Sequence, residues 1–111
     1  MRLTFKNNKL QKSCSERNKA IKTYGPKCSE KLMQRLMELQ AFENLAQVPH
    51  LPPLRCHELS GKLKGTFAVD LVQPMRLLFR PDHDPIPRDA DGGIDLSKVT
   101  VIQVVSVEDY H

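Results

Sequence analysis

The hydrophobic positions of this 111-residue chain follow a helical period in the first half and a strand period in the second. Residues 9–23 and 26–45 carry apolar side chains every three or four positions on an otherwise polar surface, which predicts two amphipathic helices. Gly25 suits the end of the first helix, and Pro26 suits the first turn of the second. Because the connection is so short, we predict that the two helices form an antiparallel hairpin.

Strand-like segments flank this hairpin. Residues 1–5 fit a short edge strand, and residues 54–59, 66–72 and 75–80 fit further strands, the last two with alternating apolar positions. Residues 99–107 are β-branched and apolar on both faces, which favours a central strand covered on both sides. The order of elements predicts an α+β fold, with the helical hairpin packed on one face of a mostly antiparallel four- to five-stranded sheet.

Length and composition limit the organisation of the chain. We predict a single domain over residues 1–111, with residues 82–97 as an acidic, proline-containing loop inserted between strands. The cysteines Cys14, Cys28 and Cys56 form no CxxC pair, which argues against a disulfide framework or a structural zinc site. No apolar run approaches the roughly 20 residues of a membrane span, and no secretory signal is visible. We therefore expect a cytoplasmic protein with no membrane partner.

Several polar side chains are predicted to lie on or beside the sheet, and the net charge of +4 favours an anionic partner. If residues 99–107 pair antiparallel with residues 75–80, the end of the chain lies beside Arg76. A plain meander does not bring His57 to the same place, so its position depends on the strand order. The candidate functional residues are His57, Lys62, Lys64, Arg76, Arg80, Asp109, Tyr110 and His111.

Imidazoles, a phenol, a carboxylate and cations together suit the cleavage of RNA without a metal or other cofactor. A base must take the proton of the 2′-hydroxyl, an acid must protonate the leaving 5′-oxygen, and a cation must stabilise the charge on the phosphorane. Histidine titrates near neutral pH and arginine makes bidentate contacts to phosphate. Ordinary structural roles are also open: His57 as a plain strand residue, Arg76 in a surface ion pair, and Lys62 and Lys64 in a solvated turn.

Three segments, taken in this order, resemble the HigB toxins of the RelE/ParE superfamily of bacterial toxin–antitoxin systems. They are Arg55–Gly65 (RCHELSGKLKG), Met75–Phe79 (MRLLF) and Glu108–His111 (EDYH). The resemblance covers roughly residues 50–80 and 98–111, and the helical hairpin is compatible with it.

The resemblance implies a RelE-like fold and a ribosome-dependent endoribonuclease that cuts mRNA in the decoding site. It implies the ribosome, mRNA and a HigA-like helix-turn-helix antitoxin as partners. By position it assigns catalytic roles to His57, Arg76, Asp109, Tyr110 and His111. The basic residues Lys62, Lys64 and Arg80 are then predicted to bind RNA.

Three departures from the family pattern accompany this resemblance. Ser60 stands where the family often has lysine, so Lys62 or Lys64 would have to supply that cation. Met75 replaces the usual tryptophan, and the loop at residues 82–97 replaces a tight turn. Two alternatives stay open: a non-enzymatic ParE-like toxin that inhibits a protein such as gyrase, and a degenerate toxin that only binds its antitoxin or RNA.

Overall fold

Residues 1–109, the part of the chain that the computed structural model describes, form a five-stranded sheet and three α-helices. The order of strands across the sheet is β1-β5-β4-β3-β2, and all neighbours are antiparallel except the parallel pair β1 and β5. The strands are β1 (Arg2–Phe5), β2 (His57–Glu58), β3 (Phe67–Asp70), β4 (Met75–Pro81) and β5 (Val101–Asp109). The predicted α+β fold with a mostly antiparallel sheet is confirmed.

The helices are α1 (Asn8–Ser15), α2 (Arg17–Tyr24) and α3 (Pro26–Ala41). Asn7 caps α1, with its side chain accepting a hydrogen bond from Leu10 N at 2.8 Å. The single helix predicted over residues 9–23 is wrong, because Glu16 is extended and separates α1 from α2. A continuous helix would carry polar residues into the apolar stripe one turn after Cys14, whereas the break lets Ala20 become buried.

Helix α3 ends at Ala41, earlier than predicted, and its buried stripe differs from the predicted one. The helical period predicts a polar surface position for Arg35 and a place in the apolar stripe for Met37, but Arg35 is only 2% exposed and Met37 is 69% exposed. The exchange has a physical reason. The guanidinium group of Arg35 finds hydrogen-bond acceptors in the interior, so its burial leaves no unpaired charge.

The helices cover one face of the sheet, and the main core lies between them and that face. Alternate residues of the strands point to the other face, which we call the open face. There a smaller cluster of Leu59, Ala68 and Leu78 packs against Leu63 and Val105 and includes no residue of α1, α2 or α3 within the described part of the chain. The helices therefore do not cover the open face, although Leu59, Ala68 and Leu78 on it are buried by their neighbours.

Strand β5 is an interior strand next to the edge strand β1, as its apolar pattern predicted, and it pairs antiparallel with β4. The prediction that both of its faces are covered is wrong, because the helices pack on one face only and just Ile102 and Val104 of this strand are buried. The register places Arg76 opposite Glu108 and Met75 opposite Asp109. The predicted antiparallel pairing, with the end of the chain beside Arg76, is confirmed as far as residue 109.

Strand β2 is shorter than the predicted segment 54–59, since only His57 and Glu58 join the sheet. The loop at residues 82–97 contains a small hairpin, in which an isolated bridge joins Arg88 to Ile94. Asp89 closes the hairpin, because its Oδ1 accepts the amide protons of Asp91 at 3.0 Å and Gly93 at 3.1 Å. None of the helices formed by residues 1–109 is both long and apolar enough to cross a membrane.

Candidate active site

A nearly buried carboxylate at the end of β3 gathers two arginines and a glutamine. Asp70 Oδ2 accepts hydrogen bonds from Arg55 Nε at 2.7 Å and Gln73 Nε2 at 3.3 Å. Asp70 Oδ1 accepts another from Arg55 Nη2 at 3.3 Å, and Arg76 Nε lies 3.6 Å from the same oxygen. We call Arg55, Asp70 and Arg76 the arginine–aspartate cluster.

The backbone of Asp70 is fixed as firmly as its side chain. Its amide donates to Leu54 O at 2.8 Å, and its carbonyl oxygen accepts from Arg35 Nε at 2.8 Å. Arg35 also donates to Glu38 Oε1 at 2.7 Å and to Pro53 O at 3.3 Å. Helix α3, the connector before β2 and strand β3 therefore meet at Asp70, and this meeting point holds the carboxylate in place.

Arg55 links the cluster to His57. Its φ angle is +49°, in the left-handed region that a residue with a side chain seldom occupies, at a cost of about 1 kcal/mol or more. In this conformation its carbonyl oxygen lies 2.8 Å from His57 Nδ1 while its guanidinium group binds Asp70. The hydrogen bond with Asp70, and then the charge of that carboxylate, raise the pKa of Arg55.

The contact with Arg55 decides which nitrogen of His57 carries the proton. A carbonyl oxygen can only accept a hydrogen bond, so Nδ1 must be the donor. In the neutral ring the lone pair is then on Nε2. His57 is half-buried and is arranged to take up a proton at Nε2.

His57 and Arg76 lie on the same face of the sheet. His57 pairs with Ala68, and Ala68 pairs with Leu78, so all three point to the open face. Arg76 lies two residues before Leu78 on β4 and therefore shares that face. Two strand spacings separate the Cα atoms of His57 and Leu78 by roughly 10 Å.

Arg76 retains an unused hydrogen-bond donor. Within residues 1–109, its Nε and Asn44 Oδ1 are the buried side-chain polar atoms that make no hydrogen bond. An unsatisfied buried N–H group costs about 1–3 kcal/mol. Guanidinium groups also have the geometry to bind phosphate and carboxylate groups. Because this N–H is enclosed and faces Asp70 Oδ1, an anion at the open face would bind the terminal Nη groups of Arg76.

The predicted catalytic residues at the end of the chain are only partly described. Asp109 lies opposite Met75, on the face that the helices cover, so strand alternation turns it away from the face that carries Arg76. Glu108, which was not predicted, lies opposite Arg76 instead. Tyr110 and His111 lie outside the described residues. The catalytic roles of Asp109, Tyr110 and His111 stay predictions.

The three predicted RNA-binding residues line one groove, with a volume of about 900 Å³. Lys62 and Lys64 come from the turn after β2, Arg80 from β4, and Arg88 from the loop at residues 82–97. We call this the turn–loop groove. Within the described part of the chain none of these four cations has a carboxylate within 4.0 Å.

No group of three or more histidine, cysteine or acidic side chains within residues 1–109 is placed to hold a metal ion. Cys56 lies between Arg55 and His57 in the sequence, but it is buried, and burial raises the pKa of its thiol to about 12. The thiol therefore stays protonated near neutral pH, and it has little thiolate to offer either as a nucleophile or as a metal ligand.

Two solved structures have the same fold over the whole length of this chain. The first is a YoeB/ParE toxin from Agrobacterium tumefaciens, with a TM-score of 0.59, 10% sequence identity and full coverage of both chains. The second is a YoeB dimer from Staphylococcus aureus, with a TM-score of 0.57, 15% identity and coverage of 100% of this chain and 97% of the other. No protein-family model matches the sequence, and no curated protein is significantly similar to it. The chain therefore has the fold of the YoeB/ParE toxins.

Three residues that the sequence analysis did not select belong to these sites. Asp70 and Arg88 gave no signal, since an acid at the end of a strand and an arginine in a loop are usually solvated. Arg55 stood inside the first segment that resembles HigB, directly before Cys56 and His57. Its position there was the signal that could have identified it.

Proposed function

We propose that this chain is the toxin of a toxin–antitoxin pair and that it cleaves mRNA as a ribosome-dependent endoribonuclease. The observation that carries the proposal is the placement of His57 and Arg76 on the open face, connected through Arg55 and Asp70. A surface that only bound a protein would not need a histidine with a fixed tautomer on the same face as an arginine held by a nearly buried carboxylate. The fold of the YoeB/ParE toxins supports the class.

In this mechanism His57 exchanges a proton with the substrate at Nε2, because Nδ1 is held by Arg55. Arg76 contacts the scissile phosphate and stabilises the charge that develops on it, while Asp70 orients Arg76. The resemblance to HigB toxins adds Asp109, Tyr110 and His111 as further catalytic groups. In the sequence Tyr110 and His111 directly follow Asp109, the last residue of β5, and we assign the second proton transfer to one of them.

The proposed partners are a small antitoxin of the HigA type with a helix-turn-helix domain, and the ribosome with its mRNA. The HigB subtype rests on the three sequence segments that resemble this family. The two structural neighbours support only the wider group of toxins that share this fold.

Expression of the chain without an antitoxin tests the proposal first. We expect growth of a bacterial host to stop, and in vitro we expect the protein to cut mRNA on programmed ribosomes. His57→Ala should slow single-turnover cleavage by about 10²–10⁴-fold, as loss of a general acid or base does. His50→Ala is the matched control, since His50 Nδ1 also contacts a backbone carbonyl, that of Cys56 at 2.9 Å, but His50 lies outside the arginine–aspartate cluster.

Normal growth with soluble, folded protein present would contradict the assignment as a toxin. Growth arrest without any mRNA cleavage would favour the ParE-like alternative, in which the chain inhibits a protein target. Binding to an antitoxin or to RNA without growth arrest would indicate a degenerate toxin. Equal cleavage rates for His57→Ala and the wild type would remove His57 from the mechanism.

A further inference from the structure

We propose that the turn–loop groove binds the phosphate backbone of a single-stranded RNA and that Arg88, in the loop at residues 82–97, is a phosphate-binding residue. The inference rests on the proposed function, because it concerns how the RNA substrate is held. The loop at residues 82–97 forms the second wall of the groove. The sequence resemblance does not supply this wall, since the family pattern has only a tight turn in place of the loop.

The charges around the groove are arranged for an anion. Lys62, Lys64, Arg80 and Arg88 lie on its lining without an ion-pair partner in the described residues. Elsewhere in the molecule Arg35, Arg55 and Arg76 are all paired with carboxylates. Four cations and the three acids Glu58, Asp89 and Asp91 line the groove, which leaves a net charge of +1 and a set of unpaired cations that attract a polyanion such as RNA.

The acidic residues of the groove serve mainly to build its walls. Glu58 Oε2 accepts the amide proton of Gly65 at 3.1 Å and so fixes the turn that carries the lysines. Asp89 Oδ1 accepts the amide protons of Asp91 and Gly93 and closes the opposite hairpin. Glu58 therefore holds a backbone N–H group in one wall of the groove, and Asp89 holds two in the other.

The two arginines are held in place by contacts that leave other donors available. Arg88 Nη1 donates to Gly92 O at 3.1 Å across the tip of the hairpin. Arg80 donates through Nε and Nη2 to Gln103 Oε1 on β5, at 3.0 and 2.8 Å. Each guanidinium group has five N–H donors, so donors remain to bind phosphate oxygens.

Strand β4 connects the candidate active site to the turn–loop groove. Arg76 and Arg80 lie four residues apart on β4 and point to the same face, which separates their Cα atoms by roughly 13 Å. An RNA strand that places a phosphate at Arg76 can therefore continue into the groove. This continuity favours the RNA substrate over an acidic protein segment as the occupant.

The test measures binding of a fluorescent single-stranded RNA, made non-cleavable by 2′-O-methyl groups, over a range of salt concentrations. Arg88→Ala should weaken binding several-fold and reduce the steepness of the log–log salt dependence by about 0.7, the value for one lost phosphate contact. Arg17→Ala is the matched control, because Arg17 is an exposed arginine on helix α2, away from the groove. Equal effects of the two substitutions, or none from Arg88→Ala, would overturn the inference.

Two substitutions at Asp89 distinguish the effect of the groove's shape on RNA binding from the effect of its charge. Asp89→Asn keeps an oxygen to accept the two amide protons and removes a negative charge, so RNA should bind more tightly than to the wild type. Asp89→Ala removes the same charge but also the closure of the hairpin, so RNA should bind less tightly than to Asp89→Asn. Equal gains from both substitutions would mean that charge alone acts, which would overturn the role of the folded loop.

These measurements distinguish failure of the groove inference from failure of the proposed function. If the wild type cleaves mRNA and Arg88→Ala behaves as Arg17→Ala does, only the groove inference fails. If Arg88→Ala weakens RNA binding but the wild type cleaves nothing, the groove inference stands and the proposed enzyme fails. A poly-glutamate competitor that displaces the RNA at an equal concentration of charges would assign the groove to an acidic protein and overturn the inference.

Discussion

The two ends of strand β4 each carry an arginine on the open face, but the surroundings of these two arginines differ. Arg76 lies beside the nearly buried carboxylate of Asp70, in a cluster that helix α3 fixes from behind. Arg80 binds only the amide oxygen of Gln103 and lies in a groove lined by other unpaired cations.

The difference separates two uses of positive charge. A cation that is oriented by a buried partner can act on one atom of a substrate, because its position is fixed before the substrate binds. Unpaired, exposed cations attract an extended polyanion without fixing any single contact. We therefore expect substitutions at the Arg76 end to change chemistry and stability, and substitutions at the Arg80 end to change mainly binding.

The largest expected effect concerns His111, which follows the last residue of β5 by two positions in the sequence. Deleting His111 should slow mRNA cleavage by about 10²–10⁴-fold if this imidazole is a general acid or base. The free energy of unfolding should change by no more than about 0.5 kcal/mol, since one terminal residue is removed. Single-turnover cleavage and a melting temperature, measured on the same preparation, check both values. An unchanged cleavage rate would leave His57 as the histidine of the mechanism.

Next in size is the removal of the carboxylate that orients Arg76. Asp70→Ala should lower the free energy of unfolding by about 2–3 kcal/mol, because it removes a nearly buried acceptor of charged hydrogen bonds and leaves the partly buried Arg76 without its carboxylate. Asp91→Ala in the turn–loop groove is the control and should change stability by less than about 0.5 kcal/mol. Denaturant unfolding of both variants measures the difference. Similar losses from the two substitutions would contradict the distinction between the two ends.

A smaller effect should appear at alkaline pH, because burial raises the pKa of Cys56 from its ordinary value of 9.0 to about 12. Above pH 9 the folded protein keeps this proton while the unfolded chain loses it, so stability falls as pH rises. Between pH 9 and pH 10.5 the loss should be about 2 kcal/mol. Urea unfolding at each pH checks the slope, and Cys56→Ala should make it shallower. A flat stability profile would show that the thiol is more accessible than the structure indicates.

The smallest expected effect is that of Arg80→Ala on stability. Arg80 is exposed and its contact with Gln103 is a surface hydrogen bond, so the free energy of unfolding should change by no more than about 0.5 kcal/mol. Arg76→Ala should cost more, because it removes one of the cations that neutralise Asp70. Thermal melts of the two variants decide between these expectations, and equal shifts in melting temperature would contradict them.

The sequence by itself determined the features that follow from local patterns. Gly25 and Pro26 marked the start of α3, and Gly25 does adopt a positive φ of +85° there. The apolar pattern of residues 99–107 determined that β5 is an interior strand, although only one of its faces is covered by the helices. The alternation of residues 75–80 determined which side of β4 faces the core. These features depend on the period of hydrophobic residues, which is visible in any single segment.

Only the tertiary structure decided which polar residues are buried and which meet. Arg35 is buried because acceptors from β3 and the connector before β2, distant in sequence, surround its guanidinium group. Asp70 became the centre of a candidate active site because β2, β3 and β4 lie side by side in that order and bring arginines to it from both neighbours. Hydrophobic burial depends on a residue's own side chain, but burial of a charge depends on a partner, and the fold alone supplies that partner.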